Sequence, residues 1–178
     1  MITDFVKASV TSAAKSMKML FVITLYPASV VDWEALRAAW AQKATAGKLT
    51  CPLPFLTGTA QDEQDGHVLE CKAGSVTIGV APGEAPQDGV ATISGVLEGL
   101  AEDQLATAYS LQGEEVVAVV ERCSDSKRFI FANPCTGGVV FQYQQIGAQD
   151  GGEAGISFNL TGKDCPVPML VYAPANAE

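Results

Sequence analysis

Basic residues are scarce in this 178-residue sequence, where 11 lysines and arginines stand against 20 aspartates and glutamates. The formal net charge is −9, and a negative surface repels the phosphates that a nucleic-acid-binding protein must neutralise. We therefore expect no sequence-specific nucleic-acid binding. The hydrophobic fraction of 48 % is typical of a folded globular chain and argues against a disordered one.

A long hydrophobic run is also missing. The run from Met19 to Tyr26 is too short to cross a bilayer. Lysines precede it, as in a signal peptide, but eighteen residues stand before the run and no A-x-A cleavage site follows it. We interpret the run as a buried strand, and we expect a soluble, intracellular protein without a membrane partner.

None of the five cysteines has the C-x-x-C spacing that is typical of zinc and redox sites. Disulfide frameworks usually show an even number of cysteines in a shorter secreted chain. We expect buried thiols in a reducing compartment and leave one bridge open as an alternative. The residues concerned are Cys51, Cys71, Cys123, Cys135 and Cys165.

The sequence does contain many short alternating segments, separated by its 17 glycines and nine prolines. They predict about eight to ten strands and two helices. The expected fold class is mainly β, a β-sandwich or barrel with about two flanking α-helices. We expect residues 1–18 to form an N-terminal arm and residues 19–178 a single β-rich domain.

The first predicted helix begins at Asp32, a good capping residue, and ends near Gly47. Trp33, Leu36 and Trp40 recur on one side of it, which indicates an amphipathic helix that covers an apolar surface. In an alternative interpretation, Trp33 and Trp40 line a ligand pocket. The second predicted helix ends at Gly113, and one of its sides carries Ala101, Leu105, Ala108 and Tyr109.

Three hairpins are expected. The first joins His67–Lys72 to Ser75–Ala81 through a turn at Ala73–Gly74, with Val76, Ile78 and Val80 on one face. The second joins Glu115–Arg122 to Lys127–Ala132 through "CSDS". The last lies in "GISFNLTGKDCPVPMLVY", where Ile156, Phe158 and Leu160 face inward and Gly162–Lys163–Asp164 turns the chain into a return edge strand.

The residues that could take part in catalysis or metal binding lack the partner residues that such sites require. His67 is the only histidine, and no G-x-S-x-G nucleophile elbow accompanies it. The acidic loop with Asp62, Glu63 and Asp65 before Gly66 lacks EF-hand spacing, as do the carboxylates Asp150 and Glu153. "TGKD" at 161–164 is followed by prolines rather than by the helix of a phosphate loop. The sequon "NLT" matters only in a glycosylating pathway. We therefore predict a non-enzyme without catalytic, cofactor or metal residues.

The second half of the chain resembles tail-tube-like and other virion structural proteins of tailed phages and prophages. The resemblance covers residues 91–173, and Ala132–Asn133 stand where the family pattern often has a glycine. It consists of a valine-rich strand, a hairpin of the type "vvve..d.kr.i.g.p" and an ending "tG...g...f.l.G....pa..Y". The matching segments are Glu115–Glu121, Ser124–Phe131, Gly147–Gly155, Phe158–Gly162 and Pro166–Tyr172.

This resemblance implies a homo-hexameric ring in which neighbouring sheets join, together with other tail proteins as partners. It implies a cytoplasmic location during assembly and the virion tail afterwards. The N-terminal arm and the loop around 56–66 would order on stacking, and an acidic lumen would let DNA pass. The alternative is a monomeric small-ligand or carbohydrate-binding β-sandwich. Its apolar platform would consist of Trp33, Trp40, Tyr143 and Tyr172.

Overall fold

The computed structural model describes residues 21–43, 47–49, 53–56, 66–99, 101–134, 137–147 and 155–173. Ten strands and two α-helices lie in these ranges, which confirms the mainly β prediction. The strands are β1 (Phe21–Pro27), β2 (Lys48–Leu49), β3 (His67–Leu69), β4 (Thr77–Pro82), β5 (Gly89–Glu98), β6 (Glu115–Arg122), β7 (Lys127–Phe131), β8 (Val139–Gly147), β9 (Gly155–Thr161) and β10 (Met169–Tyr172). The helices are α1 (Trp33–Lys43) and α2 (Glu102–Leu111).

The predicted N-terminal arm, residues 1–18, lies outside the described residues. That residues 19–178 form one domain stays a prediction.

The strands share one sheet, and the sheet closes on itself. The circuit runs β6–β1–β3, passes through the residues that follow β3 to β5, and continues through β9 and β8 back to β6. The residues just after β3 make the link to β5, through an isolated bridge from Cys71 to Leu97 that is flanked by two backbone hydrogen bonds of 2.7 and 3.0 Å. Closure removes most free edges, which favours the barrel alternative of the predicted class.

Two extensions leave this circuit. Strand β4 pairs with the first half of β5, and β7, β10 and β2 extend outward from β6 in that order. Position 116 of β6 pairs with Pro27 on one side and with Val139 on the other. Since β7 also lies opposite β1, β7 and β8 follow each other along the same side of β6.

Alternation along the strands separates two hydrophobic clusters. The inner core collects residues from all six strands of the circuit, including Ile23, Leu69, Ile93, Val116, Phe141 and Phe158, with Ala108 and Leu111 from α2. The outer core lies on the other face, under α1, and includes Tyr26, Leu36, Trp40, Val117, Ile130 and Tyr172. Strand β6 contributes to both clusters, so all of its residues from 116 to 120 are buried.

Helix α1 forms as its sequence predicts. The Ala35 backbone N–H donates to the Asp32 carboxylate at 3.1 Å, which caps the first turn. Leu36 and Trp40 are buried in the outer core and Trp33 packs against it, so the stripe is mainly a packing face.

Helix α2 is confirmed as an element, but its predicted face is partly wrong. Ala108 and Leu111 are buried, whereas Ala101 is exposed and Tyr109 is 58 % exposed. Gly113 ends the helix with a φ of 77°, as expected. The buried side of the helix includes Leu111, which the predicted face did not contain, and Tyr109 therefore points toward solvent.

The first predicted hairpin is wrong. Cys71 lies opposite Leu97 and Thr77 opposite Ser94, so the chain keeps its direction along β5. Seven residues on one side (71 to 77) lie opposite four on the other (97 to 94), and the turn at Ala73–Gly74 is an enlarged bulge rather than a hairpin loop. A hairpin loop and a bulge favour the same turn residues, so the sequence does not distinguish them.

The second hairpin is confirmed, since β6 pairs with β7. The last one is not a hairpin. Ile156, Phe158 and Leu160 are buried as predicted, but β9 lies between β5 and β8. Strand β10 instead crosses to pair with β7 and β2. Residues 162–165 first continue beside the start of β5, because Gly162 and Cys165 hydrogen-bond to Ala91 and Gly89.

Candidate functional site

Strand β4 forms an open edge of the sheet. It pairs with β5 over its six residues, and no other described strand pairs with it. An edge strand presents unpaired backbone N–H and C=O groups, which can accept a further strand. Most natural edges are protected by charged side chains or by a bulge in the strand.

The β4 edge lacks such protection by charge. Its sequence, Thr77-Ile78-Gly79-Val80-Ala81-Pro82, contains no charged residue. Val76 and Ile78 pack against the inner core, whereas Val80, which alternates with them along the strand, is 47 % exposed. Since β4 is paired on one side only, no described strand covers Val80 from the other side. The result is an apolar, hydrogen-bonding edge.

The edge ends in an acidic loop, residues 83–88. The Glu84 backbone N–H donates to the Asp164 carboxylate at 3.1 Å, and Asp88 lies on the same loop. A Cβ at Gly83 would lie 2.7 Å from the Asp164 Oδ1 atom, so a larger residue there would displace this carboxylate. The three carboxylates place negative charge at one end of the open edge.

The opposite end of the strand order is β2, a two-residue strand that pairs in parallel with β10. Backbone hydrogen bonds of 3.0 and 2.8 Å from Val171 and Ala173 reach Gly47 and Leu49. Lys48 is exposed on this edge. The two ends of the strand order therefore differ: β4 contains no charged residue, whereas the short strand β2 carries a lysine.

The tip of the β6–β7 hairpin concentrates several charges. The Arg122 guanidinium donates to Asp125 through Nε at 2.9 Å, and Arg128 donates to Glu121 at 3.0 Å. The hydrogen bonds from Arg122 lower the pKa of the Asp125 carboxyl to about 2. Both ion pairs are solvent-exposed, and each arginine offsets the charge of its carboxylate partner. We therefore interpret the hairpin tip as a polar turn rather than as a binding site.

The remaining candidates of the sequence are dispersed. His67 is buried on β3, opposite Leu25 of β1. Asn159 of the sequon lies on β9 and donates to the Thr161 hydroxyl at 2.9 Å. Lys163 lies 3.7 Å from Glu115. The structure does not assemble these residues into one site.

Other candidates cannot be placed. Asp62, Glu63 and Asp65 lie outside the described residues, as do Asp150 and Glu153. Within the described ranges, no group of three or more His, Cys, Asp or Glu residues could hold a metal ion.

The aromatic residues of the predicted platform do not share a surface. Trp40 and Tyr172 are 4 % exposed in the outer core, and Trp33 packs against that cluster. Tyr143 instead packs against the inner core and makes an edge-to-face contact with Tyr109, at 5.9 Å between ring centroids.

A small cavity lies where α1 meets the segment before β10. Its volume is about 160 Å³, and its walls are mostly apolar. Arg37, Trp40 and Ala41 line it from the helix, while Pro134 and residues 165–167 line it from the other side. Sequence reasoning gave Trp40 as a pocket candidate but did not find the opposite wall, which lies about a hundred residues away along the chain.

Comparisons of the chain with protein-family models, curated proteins and solved structures find no match. Among the described helices, none is both long enough and apolar enough to span a membrane.

Proposed function

We propose that this chain is a non-enzymatic structural protein of a phage or prophage tail, a tube or tube-associated component that assembles into rings. One observation carries the proposal: β4 is an open edge of six residues without a charge, and Val80 on it is 47 % exposed. Such an edge promotes association with another chain unless a partner covers it. A ring in which neighbouring sheets join covers it in every subunit.

Three further features support this proposal. The strand order has a second end at β2, and a ring contact is heterologous, so it needs two different surfaces on each subunit. The net charge of −9 is compatible with the passage of DNA through a lumen, because like charges weaken phosphate adhesion. Residues 91–173 carry the sequence resemblance to tail proteins. The proposed partners are further copies and other tail proteins, and the proposed location is the cytoplasm during assembly and then the virion tail.

The experiment places one charge on the open edge. Val80→Lys adds the type of residue that protects natural edge strands. Wild-type and variant are compared by light scattering over a range of concentrations, and we expect the variant to remain a smaller species where the wild type assembles.

The matched control is Gln142→Lys. Gln142 is exposed on β8 and lies opposite Asn159 within the sheet, so the control adds the same charge away from the edge. Circular dichroism checks that both variants keep the fold. If Val80→Lys assembles like the wild type and like Gln142→Lys, the β4 edge is not the assembly surface.

A further inference from the structure

We propose that the cavity between α1 and the segment before β10 binds a compact hydrophobic carboxylate, such as a benzoate-sized molecule. The hydrophobic part would occupy the cavity beside Trp40, and Arg37 would bind the carboxylate. The proposal concerns a different part of the molecule from the β4 edge, and it does not depend on ring assembly.

The volume sets the size of the ligand. The cavity measures about 160 Å³, and an apolar cavity of about 150 Å³ is known to accommodate benzene. One aromatic ring or one branched aliphatic group therefore fits, whereas a sugar ring with its hydroxyls would find few polar partners. The lining by Trp40, Ala41, Pro134 and Val167 favours a hydrophobic group.

The walls are held in place before any ligand arrives. The Trp40 indole N–H donates to the Val167 carbonyl at 3.0 Å, which ties the helix to the opposite wall. The Asn133 side chain donates to the Lys163 carbonyl at 3.0 Å and connects the two chain segments next to Pro134 and Cys165. A preformed site avoids the entropic cost of ordering its side chains on binding.

Arg37 supplies the charge selection. Its Nε donates to the Pro134 carbonyl at 2.8 Å, which ties the side chain to Pro134, and both residues line the cavity. No described carboxylate lies within ion-pair distance of Arg37. The planar geometry of its two terminal NH₂ groups suits a carboxylate. Although the protein carries a net charge of −9, the Arg37 guanidinium favours a negatively charged ligand beside this cavity.

The test uses the two tryptophans as reporters. In a ¹H–¹⁵N spectrum of the full chain, Trp33 and Trp40 each contribute one indole N–H signal, and Trp33→Phe assigns them. The probes are benzoate, benzyl alcohol and acetate. We expect benzoate to shift the Trp40 signal in a saturable manner and to leave Trp33 in place. Benzyl alcohol should bind more weakly, because it lacks the charge, and acetate should cause no shift, because it lacks the ring.

Two variants locate the binding energy. Arg37→Gln should weaken benzoate by about tenfold, which corresponds to about 1.4 kcal/mol, and should leave benzyl alcohol unchanged. Arg122→Gln is the matched control, since Arg122 is an arginine whose Nε is likewise hydrogen-bonded but which lies at the hairpin tip. Ala41→Leu fills the cavity and should weaken both ligands.

Several results would overturn the proposal. It is wrong if millimolar benzoate leaves the Trp40 signal unmoved, or if Arg37→Gln binds benzoate as well as the wild type does. It is also wrong if Ala41→Leu leaves both ligands unaffected. Should a variant fail to fold, the comparison of benzoate with benzyl alcohol in the wild type still decides the charge selection. Light scattering of the same wild-type sample reports assembly separately.

Discussion

Gly138 shows how one residue determines the path of the chain. A Cβ at this position would lie 2.3 Å from the Val116 carbonyl oxygen and 2.9 Å from the Val116 nitrogen. Both atoms belong to the backbone of β6, a strand that is buried on both faces, so neither can turn aside as a flexible side chain could. Glycine is therefore required where the chain returns to β6 after β7.

We expect Gly138→Ala to lower the free energy of unfolding by about 3 kcal/mol or more, because the backbone of β6 or β8 must move. Urea denaturation measures the change. Gly79→Ala is the control, since its new Cβ would meet only the Thr92 hydroxyl at 3.4 Å, an ordinary contact. Equal stabilities of the two variants would show that β8 does not approach β6 as described.

The burial of Cys71 makes the stability of the fold depend on pH in the alkaline range. Burial raises the pKa of this thiol from its usual value of 9.0 to about 12. The unfolded chain loses the proton first as the pH rises, so stability is complete below pH 9 and falls between about 9 and 12. The slope from this group is at most about 1.4 kcal/mol per pH unit.

Cys71→Ala removes this titration and leaves the others in place. Although the variant starts less stable, its stability should fall less steeply than that of the wild type from pH 9 to 10. Urea midpoints at several pH values measure both slopes. Parallel slopes would contradict the assignment of a buried, neutral thiol at this position.

At the scale of elements, the sequence predicts where strands lie better than which strands pair. The alternation of Ile156, Phe158 and Leu160 predicts β9 and its buried face correctly. The turn residues Ala73–Gly74 were interpreted as a hairpin, although they form a bulge along β5. Alternation is a local property of the chain, whereas pairing depends on residues that are distant in sequence.

The cap of α1 offers a test at the same scale. Asp32→Ala removes the acceptor of the Ala35 N–H, and we expect a loss of about 1 kcal/mol. Gln42→Ala, at an exposed position of the same helix, should change stability by less than about 0.5 kcal/mol. Thermal unfolding of the two variants measures the difference. If Asp32→Ala unfolds like Gln42→Ala, the cap contributes nothing to the fold.

At the scale of the whole molecule, composition predicts the fold class but not the closure. The spacing of glycines and prolines predicts short strands, and the structure contains ten of them within its described residues. Closure depends on the bridge between Cys71, which follows β3, and Leu97 of β5, and on β8 following β7 along β6. The open β4 edge and the cavity also result from such long-range pairings, so neither could be predicted from local patterns.

The proposed tail function predicts that the chain self-assembles, so its mass in solution is the most direct test. Light scattering of the wild-type chain at low and high concentration, with negative-stain microscopy of the same samples, measures the mass and shows the shape. We expect the mass to rise with concentration toward about six copies per layer, with rings or short tubes in the images. A chain that stays monomeric at the highest concentration, without rings, would contradict self-assembly through the open edge.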